Sequence, residues 1–164
     1  MISVRSRAKY AAFCRFNLLL GIFVTTVMPC AFAVLGGPEQ SVAVDAVHMR
    51  GTTRVIRGDG YLVREIQAAS GYVVREFVSP GGTVFAVAWE GPAGIDLQEI
   101  LGSYFDQYKR AMAEARPRGN APVSLQMPGF VFQLAGHMRS FHGQAYIPEM
   151  LPENFNFSSN STTR

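Results

Sequence analysis

The residues best suited to chemistry in this 164-residue chain cluster in one short segment, Gly136–Gly143. Its centre holds His137 and Arg139. An arginine beside a histidine could bind an anionic group, because the guanidinium presents a planar set of donors and the imidazole can donate or carry a proton. The alternative is that His137 is a structural residue near a turn marked by Gly136. Both interpretations stay open at the level of sequence.

Two aromatic residues could complete such a site. Trp89 or Tyr104 would line a cavity beside His137 and Arg139, as aromatic side chains do in many ligand pockets. The segment would then belong to a small-molecule-binding protein or an enzyme. Tyr104 also belongs to an aromatic stripe at helical spacing, and such a stripe is more typical of a hydrophobic core.

Other catalytic patterns are missing from the sequence. On one continuous strand, His137 and His142 would point to opposite faces, which argues against a shared metal ion. Ser140 does not stand in a Gly-x-Ser-x-Gly motif, so a hydrolase nucleophile is not indicated. The pair Gly81-Gly82 lies between apparent strands, whereas a phosphate-binding loop precedes a helix. We therefore predict no catalytic residue, no metal ion and no cofactor.

Residues 1–33 have the three parts of a secretory signal peptide. A basic start is followed by the apolar stretch Phe16–Met28, which Pro29 ends. The small residues that a signal peptidase needs follow in Ala-x-Ala spacing, so we predict cleavage between Ala33 and Val34.

The leader predicts where the protein is located and which reactive side chains the mature chain keeps. Cleavage would leave a protein in the periplasm or outside the cell. An uncleaved anchor is the alternative, because Leu18–Leu35 carries no charge. Both cysteines of the chain, Cys14 and Cys30, lie in the leader. The mature protein therefore has no thiol for a disulfide, a nucleophile or a metal site.

The charge distribution disfavours nucleic acid as a partner. The chain has 15 lysines and arginines against 12 aspartates and glutamates, a formal net charge of +3. Four of the basic residues belong to the leader: Arg5, Arg7, Lys9 and Arg15. The remainder is thus nearly neutral, and phosphate backbones bind basic surfaces. No later apolar run is long enough to predict a membrane span after the leader.

Residues 34–152 are predicted to form a single α+β domain. A short helix runs from Ser41 to about Arg50, and Thr52–Glu90 then reads as an antiparallel meander, because β-branched and aromatic residues alternate with glycine-rich turns. In its third strand, Thr83–Trp89, the residues on both faces are mainly apolar, which indicates a central strand covered on both faces.

The register of the first hairpin follows from its loop. A three-residue loop ending at Gly71 places Arg64 opposite Glu76 and Glu65 opposite Arg75. Both pairs then join opposite charges, which favours this register over the two-residue alternative. We interpret the four charged residues as cross-strand ion pairs at exposed positions of the sheet. The alternative, a catalytic pair of carboxylates, is less favoured.

The second half of the domain is predicted to contain one amphipathic helix and a C-terminal β-hairpin. Asp96 and Glu99 resemble a capping box, and apolar residues recur at helical spacing through Ala115, so the helix of residues 96–115 packs on the sheet. Strands follow at residues 123–126, 130–135 and 138–146. Residues 153–164 are predicted to be a flexible polar tail.

An ordered set of segments resembles the bacterial domain-of-unknown-function family 2844. The segments are Leu35-Gly36-Gly37, Arg75–Pro92, Asp96–Phe105, Gly136-His137-Met138, Ala145–Pro148 and Leu151-Pro152. The resemblance covers nearly the whole mature chain and implies an exported protein of Gram-negative bacteria. It implies no activity, ligand or catalytic residue. The Asn/Ser/Thr-rich tail departs from the family's pattern.

Two functions are therefore predicted. The first is a non-catalytic binding or assembly module in the periplasm or outside the cell, whose partner is an exported protein or a cell-envelope component. The second is a small-molecule-binding protein or enzyme centred on His137 and Arg139.

Overall fold

The domain is built on one antiparallel sheet of seven strands. The computed structural model describes residues 35–92, 95–119, 121–137, 139–153 and 155–157. The predicted leader and the cleavage site at Ala33 and Val34 lie outside the described residues. The strands are β1 (Thr52–Arg57), β2 (Leu62–Gln67), β3 (Val73–Val78), β4 (Val84–Gly91), β5 (Val123–Met127), β6 (Phe130–His137) and β7 (Ser140–Tyr146). They lie in the order β1-β2-β3-β4-β7-β6-β5, so the fold is α+β as predicted.

The hairpin between β2 and β3 has the predicted register. Arg64 lies opposite Glu76 and Glu65 lies opposite Arg75. The three-residue loop closes with the Gly71 N–H donating to the Ala68 carbonyl at 3.0 Å, and Gly71 has a φ of +90°. Glycine is the residue that adopts this backbone conformation without a steric cost.

One part of that prediction is wrong. The Arg64 and Glu76 pair was expected to be exposed, but Glu76 is 1% exposed. The reason is that Val74, Glu76 and Val78 share the face of β3 that the helices cover, and both valines are buried there. The side chain of Arg64 bonds to Glu39.

The strand β4 is central, as the apolar residues on both of its faces predicted. It is the fourth of seven strands, and Val84 through Val87 are all buried. Val84 and Val87 belong to the cluster on the side of the helices. Phe85 and Ala86 belong to a second cluster on the other side of the sheet. This strand therefore needs a cover on each face.

Three short helices cover the first face, which we call the inner face: α1 (Val42–His48), α2 (Leu97–Leu101) and α3 (Phe105–Ala115). Asp96 caps α2, because its carboxylate accepts from the Gln98 and Glu99 amides at 2.8 and 3.3 Å. The predicted helix of residues 96–115 is divided by a 3₁₀ turn at Gly102–Tyr104. Gly102 has a φ of +45°, which α-helical backbone does not adopt.

The described residues cover the opposite face, which we call the outer face, only in part. Its apolar cluster consists of Val63, Phe77, Phe85 and Ala86. Phe155 and Phe157, at the start of the predicted polar tail, pack on the ring of Phe77 with centroid distances of 5.0 and 5.5 Å. The chain after β7 thus returns across the sheet and supplies the second cover. Within the described part of the chain, no helix combines the length and apolar character that a bilayer span requires.

Replacement of Phe77 tests this second cover. Phe77→Ala should lower the free energy of unfolding by about 3–5 kcal/mol, because it removes a fully buried ring and leaves a cavity. Urea denaturation followed by the fluorescence of the single tryptophan measures the loss. The control is Val47→Ala, at a side chain 75% exposed, which should change stability by no more than about 0.5 kcal/mol. Equal losses for the two variants would contradict the outer cluster.

Candidate functional site

The structure does not bring the predicted site residues together. His137 is the exposed last residue of β6, and Arg139 lies exposed in the following turn with a φ of +70°. Tyr104 lies on the inner face, where its ring contacts Phe130 at a centroid distance of 4.7 Å. Trp89 is 3% exposed and packs against Phe132. Of the four, only Trp89 borders a groove on the opposite face of the sheet.

The expected directions of the two histidines are also corrected. The opposite directions hold for one continuous strand, but β6 ends at His137 and β7 begins at Ser140. His137 pairs with Ser140, and Ala135 pairs with His142. Since paired residues share a face and a strand alternates faces, His137 and His142 lie on the same face of this hairpin. No group of three or more potential metal ligands was found among the described residues.

A groove lies on the half of the outer face that the described residues leave uncovered, and we call it the outer-face groove. It has a volume of about 430 Å³. Its lining includes Arg75, Ala88, Glu90, Gln133, His142, Gln144, Ser124 and Phe157. Phe157, from the C-terminal segment, forms one wall, and the rest of the lining combines these polar side chains with apolar residues such as Phe77, Trp89 and Leu134.

Two cross-strand rows form the floor of the groove. Strand pairing places seven residues in the first row, in strand order Arg54, Glu65, Arg75, Ala88, Gln144, Gln133 and Ser124. The second row runs Gln67, Val73, Glu90, His142 and Ala135. Antiparallel pairing fixes both rows, because residues directly opposite each other share a face.

Arg75 holds the charged side of the groove in place. Its Nε donates to Glu65 at 2.8 Å and its terminal nitrogen donates to Glu90 at 3.1 Å. Arg54 contacts the other oxygen of Glu65 at 2.8 Å. The Arg75 side chain is only 11% exposed, so the two carboxylates rather than water satisfy it. The ladder has two positive and two negative charges and is neutral as a whole.

Amides occupy the other side of the groove. The Gln144 side-chain nitrogen donates to the Gln133 side-chain oxygen at 2.6 Å across β6 and β7. Both side chains are partly exposed, so each keeps hydrogen-bonding groups that face the groove. The sequence does not single out this pair, because the two glutamines become neighbours only when β6 and β7 pair in this register.

The groove continues as a second depression along the sheet. That depression has a volume of about 410 Å³ and lies over β1 to β4. It shares Arg75 and Glu90 with the outer-face groove. The two together form an elongated surface of mixed polarity that follows the rows across the sheet.

The groove lacks the geometry of a serine hydrolase. His142 and Glu90 lie directly opposite each other on β7 and β4. Ser124, the hydroxyl residue in the first row, is on β5 and thus two strands from β7. Two strand spacings are about 10 Å, which exceeds the reach of a hydrogen bond between a nucleophile and its base. The arrangement is suited to holding a ligand.

A second titratable cluster is buried beneath α1. Asp45 on α1 and Glu76 on β3 are each 1% exposed. The carboxyl of Glu76 finds no donor nitrogen or hydroxyl among the described residues, and it meets the carboxyl of Asp45 at hydrogen-bonding distance. Two carboxyl groups can share a hydrogen bond only if one of them is protonated.

Burial raises the pKa of Glu76 well above its ordinary value of 4.5, and the negative charge of Asp45 raises it further. Arg64 opposes this shift, but it is already paired with Glu39. The net effect raises the pKa of Glu76 and favours its protonated form. Burial also raises the pKa of Glu99, against the lowering effect of His48. None of the groove's lining residues belongs to this carboxyl pair, so it serves the fold.

The buried pair predicts a specific dependence of stability on pH. Folded Glu76 keeps its proton above pH 4.5, where the unfolded chain loses it, so the folded state binds more protons. The free energy of unfolding should therefore fall as the pH rises, by up to about 1.4 kcal/mol per pH unit. Glu76→Gln should remove this fall and be the more stable protein at high pH.

Urea denaturation at a series of pH values measures the effect. The matched control is Glu149→Gln, at an exposed position, which should keep the pH dependence of the natural protein. The same slope in the Glu76 variant and in the natural protein would show that Glu76 is ionised in the folded state.

Comparison with known proteins adds a family but no activity. Residues 31–159 match the family model described as "Protein of unknown function (DUF2844)". Neither a curated protein nor a solved structure matches the chain. The match spans the sheet, the helices and the C-terminal segment that borders the groove, and it confirms the resemblance found in the sequence. The chain belongs to the DUF2844 family of proteins of unknown function.

Proposed function

We propose that this protein is an exported, non-catalytic binding module and that its ligand site is the outer-face groove. The observation that carries the proposal is the outer face as the described residues cover it: Phe155 and Phe157 shield the apolar cluster, and the two cross-strand rows beside them line a groove. The partner is a component of the cell envelope that the protein meets after export.

The sequence supports the export half of the proposal. Residues 1–33 have a basic start, an apolar stretch and an Ala-x-Ala site, which is the pattern of a cleaved leader. Export also fits a domain that lacks thiols after Val34 and is held together by two apolar clusters. The domain needs no reducing environment and no disulfide-forming machinery.

The order of the groove supports binding over catalysis. Its charged side chains are fixed by mutual ion pairs, and its amides are fixed by a hydrogen bond. Such preorganisation lowers the entropic cost of ligand binding. A catalytic site requires in addition a general acid or base within reach of a reacting group, and His142 and Ser124 are two strand spacings apart, with β6 between them.

The export proposal predicts the N-terminus of the protein. Mass spectrometry of the protein recovered from its native cell should find a chain that begins at Val34, in the periplasmic or extracellular fraction. A chain that still begins at Met1 in the membrane fraction would indicate an anchor. A soluble cytosolic pool that begins at Met1 would overturn export.

The binding proposal is testable by blocking the groove. The processed chain has no cysteine, so one introduced thiol gives a single attachment point. Ser124→Cys, modified with a bulky maleimide, should reduce retention of the protein on its immobilised native cell envelope at least tenfold, because the adduct fills the groove. A tenfold loss corresponds to about 1.4 kcal/mol of binding free energy.

The matched control is Ser103→Cys carrying the same maleimide. Ser103 is exposed in the 3₁₀ turn before α3, on the inner-face side of the molecule. Its adduct should leave retention unchanged. Equal retention of the two modified proteins, or no retention of the unmodified protein, would rule out the groove as the binding site.

A further inference from the structure

The geometry points to a neutral, polyhydroxylated ligand in the outer-face groove, and we infer that it is an oligosaccharide. This inference rests on the proposed function, because it assumes that the groove is a ligand site. Three features of the groove select the ligand class: the engaged backbone of its strands, the internal neutralisation of its charges, and the mixed donors and acceptors of its amides.

Most of the backbone beneath the groove is not available to a ligand. The edge strand β5, which carries Ser124, borders the groove, but the floor is formed mainly by β3, β4, β7 and β6, and each of these four strands has a neighbour on both sides. Their N–H and C=O groups are therefore used in the sheet, and an extended peptide cannot join them as an added strand. Recognition in the groove falls to side chains.

The charges of the groove do not favour an ionic ligand. Arg75 is the buried cation, and Glu65 and Glu90 already bind it from two sides. A phosphate or carboxylate would have to displace one of these carboxylates, and a cation would compete with Arg75 for them. The ladder that ends in Arg54 is neutral as a whole, so the groove offers no excess charge to an ion.

The two glutamines offer both donors and acceptors. The bond between them uses one N–H of Gln144 and one lone pair of Gln133. Gln133 keeps two N–H donors and a lone pair, and Gln144 keeps one N–H donor and two lone pairs. A hydroxyl group donates and accepts at once, so a polyhydroxylated ligand matches this set, whereas a phosphate or carboxylate ion only accepts.

Small and aromatic side chains provide a place for the carbon skeleton of a sugar. Ala88 and Ala135 leave space in the floor beside the glutamines, and the partly exposed ring of Phe157 forms the wall. The C–H face of a sugar ring can pack on such a surface while its hydroxyls reach the amides. The second depression extends the surface along the rows, which favours an oligomer over a single sugar.

Nuclear magnetic resonance titration of the processed protein tests the ligand class. The probes are a neutral trisaccharide of glucose, a neutral trisaccharide of N-acetylglucosamine, a trigalacturonate of the same length, and inorganic phosphate. At least one neutral trisaccharide should shift the side-chain amide signals of Gln133 and Gln144. Gln144→Ala should weaken that binding about tenfold, the effect of losing one or two hydrogen bonds.

The control variant is Gln98→Ala, at an exposed residue of α2, which should bind the trisaccharide as the natural protein does. Shifts at Gln133 and Gln144 caused by trigalacturonate or phosphate, but by neither neutral sugar, would overturn the ligand class and keep the groove as a site. No shift with either neutral sugar at millimolar concentration also overturns the inference. The retention experiment with modified Ser124 then decides separately whether the groove binds anything.

Discussion

The structure depends on one constraint, which is that β4 is apolar on both faces and must be covered twice. Its position in the middle of seven strands buries Val84 through Val87. Helices cover the inner face, and they bring the larger of the two apolar clusters with them. The outer face has no helix in the described structure and depends on Tyr61 and the chain after β7 for its cover.

The two covers have different consequences for polar groups. Beneath α1, the inner face contains Asp45 and Glu76, which are too deeply buried to be solvated and share a proton. On the outer face, the described cover reaches Phe157, and the polar side chains of the rows beyond it are partly or fully exposed. Their charges pair across strands, and their amides pair with each other. The helices over the inner face therefore bury the carboxyl pair. The groove lies on the outer face, beside the described part of the C-terminal segment.

Preorganisation links the groove to the sheet. Arg75 and Glu90 belong to neighbouring strands, and the same is true of Gln133 and Gln144. The backbone ladders fix the distances between their Cα atoms, so the side chains meet without a loop that has to close. A site built on regular strands keeps its geometry more accurately than one built on flexible segments. This rigidity suits recognition of a ligand by many weak hydrogen bonds.

The sequence by itself determined the local features of the fold. The hairpin loop at Gly71, the register of Arg64 with Glu76, the cap at Asp96 and the central position of Thr83–Trp89 all follow from residues close together in the chain. These features depend on turn chemistry, side-chain alternation and capping, which act over a few residues. The family could also be recognised from short ordered segments.

Only the tertiary structure decided which polar residues meet. The predicted site at His137 and Arg139 rested on proximity in sequence, but these residues lie at the exposed end of a hairpin. Gln133 meets Gln144 because β6 and β7 pair, and Glu76 is buried because α1 lies over it. Pairing between strands and the placement of a helix are set by the packing of the whole domain. A single sequence does not specify them residue by residue.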